Sequence, residues 1–341
     1  MKYSTIMQPP MISILTPFKN SSQFLTACLK SIINQTYSHW ELLIVDDHST
    51  DDSYALVASF AQKDKRIKLL KNTGKGIIDA LNLAFKNSSG QLITRMDSDD
   101  IMGSDKLKIM SEDLKTHGKG FLALGMVNYF HEGTLGEGYS NYEKWLNNLT
   151  KTGTNYTEIY KECVIPSPCW MIHRQDLVVC GAFDHTTYPE DYDLAFRFYK
   201  HGLKCIPSGH VLHHWRDYDT RTSRTDENYA DNRFLKLKMN YFMELDYDFS
   251  RPLVLWGAGF KGKFSAKLLK KNKVPFIWIC NNPKKIGKHI YTIELDSIAS
   301  LSELIAPQVI ITVANKTAQK KIRNILENQQ LVKAHDYFFF C

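Results

Sequence analysis

The chain has 341 residues, 43% of them hydrophobic, which is enough for a sizeable core and for two domains. Its net charge of +7 is mild and comes with no basic run or aromatic–basic stripe, so nucleic acid is not an expected partner, while a phosphate-bearing substrate or peripheral contact with anionic lipid is compatible with it. No apolar run approaches the roughly 20 residues that span a bilayer, and residues 1–10 lack the apolar core of a signal peptide. The expected location is therefore cytoplasmic, with the inner face of the membrane within reach. The seven cysteines form no CxxC pair and are odd in number, which favours reduced thiols over disulfides or zinc ligands.

In chain order, residues 11–16 read as a strand, after which Phe24, Leu25, Cys28, Leu29, Ile32 and Ile33 recur at helical spacing. Residues 42–45 are a second strand ending at Asp46-Asp47, residues 67–70 a third, and residues 81–85 sit in the helix after it. Gln91-Leu92-Ile93-Thr94-Arg95-Met96 is a fourth, buried strand that runs into Asp97-Ser98-Asp99-Asp100. Short strands alternating with helices predict an α/β fold with a mostly parallel sheet, whose ligands sit beyond the carboxyl ends of the strands. Both acidic clusters fall on that edge. From residue 125 to 168 the pattern weakens; Gly133, Gly136 and Gly138 mark turns, residues 142–149 look helical, and such irregular stretches often build acceptor pockets. Trp145 and Trp170 would either shape that pocket or, more simply, fill the core. Pro189-Glu190-Asp191-Tyr192-Asp193 opens a helix carrying Leu194, Phe196 and Phe198, closed by Gly202.

Around residue 248 the pattern restarts. Residues 253–256 are a strand, Gly257-Ala258-Gly259-Phe260-Lys261-Gly262 leads into a helix ending near residue 271, and residues 276–280 and 309–313 are further strands. The division expected is one domain over residues 1–247 and a smaller one over 248–341. Tyr337-Phe338-Phe339-Phe340-Cys341 is most simply a last buried strand.

Asp97-Ser98-Asp99-Asp100 carries the most chemistry. Three carboxylates at one strand end repel one another unless a positive group sits among them, and a hard divalent cation with oxygen ligands is the simplest such group. A cation held there neutralises a diphosphate, so the predicted chemistry acts on a phosphate leaving group. The plainer reading is an acidic turn in which Asp100 caps the next helix; for Glu190-Asp191 it is an acidic first turn favoured by the helix dipole.

About the first 245 residues resemble the family 2 glycosyltransferases of the GT-A fold. The resemblance rests on four blocks in order: Ile14-Leu15-Thr16-Pro17-Phe18; Gln35-Thr36-Tyr37 with Trp40-Glu41-Leu42-Leu43-Ile44-Val45-Asp46-Asp47-His48-Ser49-Thr50-Asp51-Asp52-Ser53; the DXD-type block Arg95-Met96-Asp97-Ser98-Asp99-Asp100; and Glu190-Asp191-Tyr192-Asp193-Leu194. It implies inverting transfer of a sugar from a nucleotide donor, UDP-linked by preference, to the hydroxyl of a sugar, lipid-linked or other acceptor, with Mn²⁺ or Mg²⁺ as cofactor. By the same resemblance Asp47 would accept from the uracil ring, with Thr16 and Phe18 lining the base pocket. Asp97 would contact the ribose or share the metal, Asp99 would bind the metal directly, and Asp191 would be the general base. Lys75 or Arg95 would contact the diphosphate. Phe18 stands where tyrosine is common, and His48 where glycine is usual, which strains the turn if it needs positive φ. His213-His214-Trp215-Arg216, with Arg221, Ser223 and Arg224, resembles the closing segment of the transferase domain in part of this family, which places His213 or His214 near the nucleotide or metal; the plainer reading is a packed strand followed by a basic loop. Surface polysaccharide or glycolipid synthesis is an association of the family.

The glycine loop at residues 257–262 lies between a strand and a helix, as a dinucleotide fingerprint requires, and resembles the small Rossmann-like domains that follow some family 2 glycosyltransferases. The second strand ends Cys280-Asn281-Asn282, without the acidic ribose ligand, which argues against NAD. Two rival functions are a non-catalytic protein that senses nucleotide sugars and an NAD-dependent oxidoreductase run from the C-terminal domain. Intact Asp99 and Asp191 disfavour the first, and the missing acidic residue the second.

Overall fold

Two strands whose every residue is buried, β1 (Ile12–Phe18) and β2 (Trp40–Asp46), form the centre of the first sheet. The computed structural model describes residues 9–131, 137–183, 186–219, 221 and 234–341. It contains two compact units, one of residues 1–155 and 164–221, the other of residues 156–163 and 222–341.

In the first unit, β3 (Ile67–Lys71) and β4 (Leu92–Arg95) join β2 and β1 in parallel, in the order β3-β2-β1-β4. The chain winds outward from β1 to β3 and then returns to β4 on the other side of β1, so the strand order reverses between β1 and β4. The sheet continues through β8 (Trp170–His173), antiparallel to β4, to β6 (Phe121–Leu124) and β9 (Lys204–Ile206), making seven strands. A three-stranded sheet is made by β5 (Ile101–Met102), β10 (Val211–Arg216) and β7 (Met126–Phe130). Helices α1 (Ser22–Ile33), α2 (Ser53–Lys63), α3 (Ile77–Lys86), α4 (Lys106–His117), α5 (Glu137–Thr152), α6 (Arg174–Val179) and α7 (Glu190–Lys200) complete the unit. In α1 the stripe Leu25, Cys28, Leu29 and Ile32 is the buried face. In α7 the chain turns at Gly202 (φ 69°), and the Leu203 amide donates to the Phe198 carbonyl at 3.1 Å, ending the helix as expected.

The parallel strands, α1, α3 and α7 lie where the residue pattern puts them, with ends shifted by a residue or two except that α3 begins four residues before the expected 81. Gly138 does not mark a turn but lies in the first turn of α5, a helix longer than the expected 142–149; Gly133 and Gly136 lie outside the described residues. The stretch after residue 125, read as irregular, begins with β7. Trp170 is buried on β8, edge-on to Phe198, and Trp145 packs against the hydrophobic core, so both are core aromatics.

The second unit is built on β11 (Leu253–Trp256), with β12 (Ile277–Ile279) and β14 (Ile293–Asp296) on one side and β15 (Gln308–Ile311) and β16 (Tyr337–Phe339) on the other, all parallel, and β13 (His289–Ile290) antiparallel at the edge. Helices α8 (Phe234–Leu245), α9 (Phe260–Lys271) and α10 (Lys316–Asn328) belong to it. The unit begins before residue 248 because α8 is packed into it: Phe242 meets Phe338 at 5.2 Å and Phe340 at 5.8 Å between ring centres. Residues 156–163 join it through Tyr160, which stacks on Phe340 at 5.3 Å. Among the described residues no helix is long and apolar enough to cross a membrane.

Candidate active site

The parallel strands of the first unit end in register, Phe18 beside Asp46 and Asp46 beside Lys71, so the loops that follow share one edge. The Asp47 amide donates to the Phe18 carbonyl at 2.8 Å. The Asp47 carboxylate is buried and takes two hydrogen bonds on Oδ1, from Asn72 Nδ2 at 2.7 Å and from the Gly76 amide at 2.9 Å. It therefore fixes the glycine-bearing loop between β3 and α3 and leaves Oδ2 for a ligand donor. His48 sits in the left-handed region (φ 59°), the strained turn expected of a non-glycine residue there, and its Nε2 donates to the Gly74 carbonyl at 2.8 Å. Thr16 is fully buried on β1, and its hydroxyl has no partner. Phe18, 3% exposed, belongs to the hydrophobic core. Lys75 is exposed.

β4 carries Arg95 to the same edge, and Asp97–Asp100 turn tightly, the Asp100 amide reaching the Asp97 carbonyl at 3.3 Å. Asp99 accepts from the Tyr218 hydroxyl at 2.9 Å. Burial first, then the charges of Asp100 and Asp97, push its carboxyl up to about 7. Asp100 is tied down from two sides, by the Arg216 amide at 2.8 Å and by His213 Nε2 at 2.9 Å. Burial pushes the His213 imidazole well below its usual range, with Lys106 acting in the same direction. It is thus neutral, and since Nδ1 has no partner, the proton belongs on Nε2, donating to Asp100. His213 meets Asp100 rather than Asp99, which makes it a positioning group for the turn. β10 is the packed strand of the plainer reading, and its His213 is also part of the site. Ser223 and Arg224 lie outside the described residues.

Positive charge surrounds these carboxylates. Arg216 Nε donates to the Asp99 carbonyl at 2.8 Å, and its guanidinium lies between the rings of Phe24 and Phe130. Arg221 feels the charges of Asp100, Asp99 and Asp97. Lys106, fully buried, donates to the Pro168 carbonyl. Tyr218 and Lys106 were not singled out by sequence: a tyrosine after a strand and a lysine at a helix start carry no signal by spacing. Asn72, Gly74 and Gly76 did carry one, as a cluster of turn-forming residues after a strand.

Arg95 joins the two acidic blocks. Its guanidinium pairs with Asp97 at 3.1 Å and with Glu190 at 2.9 Å, which fastens the start of α7 to the end of β4. Burial opposes its charge, but Asp97, Glu190 and Asp191 outweigh burial and hold it protonated. Asp191 follows in the first turn of α7 and accepts from the Tyr192 amide at 2.7 Å. Burial, then Glu190, push its carboxyl up to about 7, against the pull of Arg95. A carboxyl poised there is suited to proton transfer at neutral pH.

For a cation, the donors on offer are carboxylate oxygens, the right chemistry for Mg²⁺ or Mn²⁺. The crowding that raises Asp99 is relieved by a cation, so the residues fit one. Among the described residues no set of three or more His, Cys, Asp or Glu side chains converges as a cage. A cation here would be held by one or two carboxylates, as Mg²⁺ often is by a protein, and would supply positive charge beside a diphosphate.

This is the GT-A fold, an α/β sheet with an acidic edge at its switch point. Residues 13–179 match the model of Glycosyl transferase family 2, and this part of the chain is a glycosyltransferase domain of that family. It is 28% identical over 240 residues to the Escherichia coli UDP-Glc:alpha-D-GlcNAc-diphosphoundecaprenol beta-1,3-glucosyltransferase WfgD, covering 68% of this chain and 84% of that one. Other matching glycosyltransferases align over less of their own length, 41% for one from Haemophilus influenzae, so the chain spans under half of such relatives. Among solved structures, S. aureus TarS 1–349 in complex with UDP-GlcNAc matches with a TM-score of 0.54 and 16% identity over 77% of this chain and 72% of that one. The mannosyltransferase PcManGT from Pyrobaculum calidifontis, in complex with GDP-Man and Mn²⁺, gives 0.50 and 18% over 70% and 64%.

Proposed function

We propose that the first unit moves a sugar from a nucleotide donor, UDP-linked, to an acceptor hydroxyl with inversion, with the help of a divalent cation, and that the second unit is an appended Rossmann-like domain. The observation that carries this is the double ion pair of Arg95 with Asp97 and Glu190, which brings Asp191 beside the acidic turn. Asp47 Oδ2 is then the acceptor for the imide N–H of uracil, while Thr16 and Phe18, both buried, lie behind the base pocket rather than on its surface. Asp97 and Asp99 are the residues to hold the cation, which when bound supplies Lewis-acid neutralisation of the diphosphate. Of the two candidates for the diphosphate, Lys75 is exposed and Arg95 already paired, so Lys75 is the better placed to reach it.

In the transfer step, Asp191 takes the proton of the acceptor hydroxyl as its oxygen bonds to the anomeric carbon from the face opposite the nucleotide. The bond from that carbon to the diphosphate oxygen breaks, and its electron pair leaves with the diphosphate. Positioning two substrates and general-base help of about 10² to 10⁴ in rate account for the acceleration asked of these residues. The acceptor proposed is a sugar hydroxyl on a lipid carrier, which would bring the protein to a membrane face; WfgD, by its name, uses a diphosphoundecaprenol-linked acceptor.

The test is calorimetric titration of UDP with Mn²⁺ and then with EDTA. Binding that needs the metal and is lost in Asp99→Ala is the expected result. Binding that is indifferent to both EDTA and Asp99→Ala would remove the cation from the reading, and no binding at all would remove UDP.

A further inference from the structure

The second unit contains a cavity of about 420 Å³ at the carboxyl ends of β11, β12 and β15, within the usual size range of small-molecule sites. It lies where the winding of the sheet reverses about β11. The loop from β11 to α9 forms one wall and contains Gly257 and Gly259; a third glycine, Gly262, follows in the first turn of α9. Two are required by the unit itself. Gly257 has φ 127°, and a Cβ there would meet Thr312 Oγ1 at 2.6 Å. A Cβ on Gly262 would lie 2.0 Å from the Gly257 carbonyl oxygen, so only glycine lets α9 approach the strand end. Gly259 is different: its φ is −82°, ordinary for any residue, and a Cβ there would have nothing within 4 Å. The fold does not need glycine at this position, and the position faces the cavity.

The charges around the cavity are unbalanced. Lys285 and Lys321 line it and no carboxylate does. Lys285 Nζ donates only to the Ala258 carbonyl, at 2.8 Å, and neither lysine is ion-paired among the described residues. α9 starts without a side-chain cap or an acidic first turn and carries Lys261 and Lys263 there, at the end where its dipole is already positive. An anion in front of Gly259 would meet the free amides at the start of α9 together with Lys285 and Lys321. The opposite wall is apolar: Val313, Ile322 and Ile325 offer a surface for a flat ring. At the end of β12, where a dinucleotide site reads the ribose diol with a carboxylate, stand Asn281 and Asn282, and Asn281 Oδ1 is taken by Trp256 Nε1 at 2.6 Å.

We propose that this cavity binds a nucleoside monophosphate, with the phosphate at Gly259 and the start of α9 and the base against Val313, Ile322 and Ile325. Trp278 Nε1 donates to the Gly257 carbonyl at 2.8 Å, so a tryptophan is attached to each of two lining residues and reports occupancy.

The experiment is titration of the full chain with AMP in EDTA, read by tryptophan fluorescence and calorimetry. The expected result is saturable binding that Gly259→Val abolishes without lowering Tm, and that Lys285→Glu with Lys321→Glu weakens at least about tenfold, as loss of two charge-assisted contacts implies. Asp47→Ala should leave it unchanged. Loss of binding in Asp47→Ala would place the nucleotide in the first unit and overturn the proposal without touching the transferase reading. No binding at millimolar AMP, binding that survives Gly259→Val, inorganic phosphate binding as tightly as AMP, or NADH binding more tightly than AMP would each overturn it as well.

Discussion

Asp191 is the residue on which the transfer chemistry depends most directly. Its carboxyl is held near 7 by burial first and by Glu190 second. Only the ionised form accepts a proton, so the rate should follow its population. For a group that titrates at about 7, roughly a tenth is ionised at about pH 6 and roughly nine-tenths at about pH 8, a rise of about tenfold in kcat/KM across that interval. Nucleotide release from a panel of UDP-sugars and acceptors at fixed Mn²⁺ measures it. Asp191→Asn should lose about 10² to 10⁴ in kcat and keep its affinity for UDP. Because the folded state raises this carboxyl above its unfolded value, ionising it costs the fold stability as pH rises toward 7; Asp191→Asn should therefore show an unchanged or higher Tm at neutral pH, which separates lost chemistry from lost structure. Glu190→Gln removes the neighbouring negative charge and leaves more of the Arg95 charge for Asp191, and both changes act downward, so the acid limb should move to lower pH. A flat rate profile between about pH 6 and pH 8, or an Asp191→Asn enzyme within tenfold of the parent, would refute the assignment.

Asp47→Ala removes the acceptor of two hydrogen bonds to the β3–α3 loop and should cost about 2 to 4 kcal/mol in urea unfolding, with Asp47→Asn costing less; equal losses would mean the carboxylate charge, not the bonds, holds the loop. At position 48, glycine and alanine both lose the bond to Gly74, but only glycine relieves the left-handed backbone, so His48→Gly should be more stable than His48→Ala by about 1 kcal/mol, and the reverse order would contradict the turn. Gly262→Ala, with its Cβ forced against a backbone carbonyl, should destabilise the second unit by about 1 to 3 kcal/mol in calorimetry, whereas Gly259→Ala should leave its melting unchanged.

The parallel part of the first sheet was legible because buried parallel strands are continuous apolar runs, and here two of them end on aspartates that mark the edge. Asp47, Asp97, Asp99 and Asp191 could be picked out because they sit in ordered local blocks. The bonds that arrange them could not. Arg95 reaches Glu190 across 95 positions and His213 reaches Asp100 across 113, and no periodicity encodes such pairs. Glu41, inside a strand that reads as apolar, is brought down to about 2: burial works against its charge, but Lys68, Ser89 and Ser13 more than compensate. The stretch after residue 125 was opaque for another reason: among its described residues its one strand, β7, is five residues long and its helix α5 is amphipathic and polar, so each signal is weak by itself.

The eight residues 156–163 belong to the second unit although the ribosome makes them long before the rest of it. Tyr160 waits first for Phe242 and then for Phe338 and Phe340, and the Lys161 carbonyl for Lys238, all of them translated well after it. Phe338 and Phe340 thus act as a latch on a segment synthesised much earlier. A fragment ending near residue 247 would keep Phe242 beside Tyr160 but leave that ring without Phe338 and Phe340, and one starting there would lack part of its own core. Separate expression of the halves calls for a cut in two places rather than one, and loss of Phe338 and Phe340 would reach far upstream in its effect.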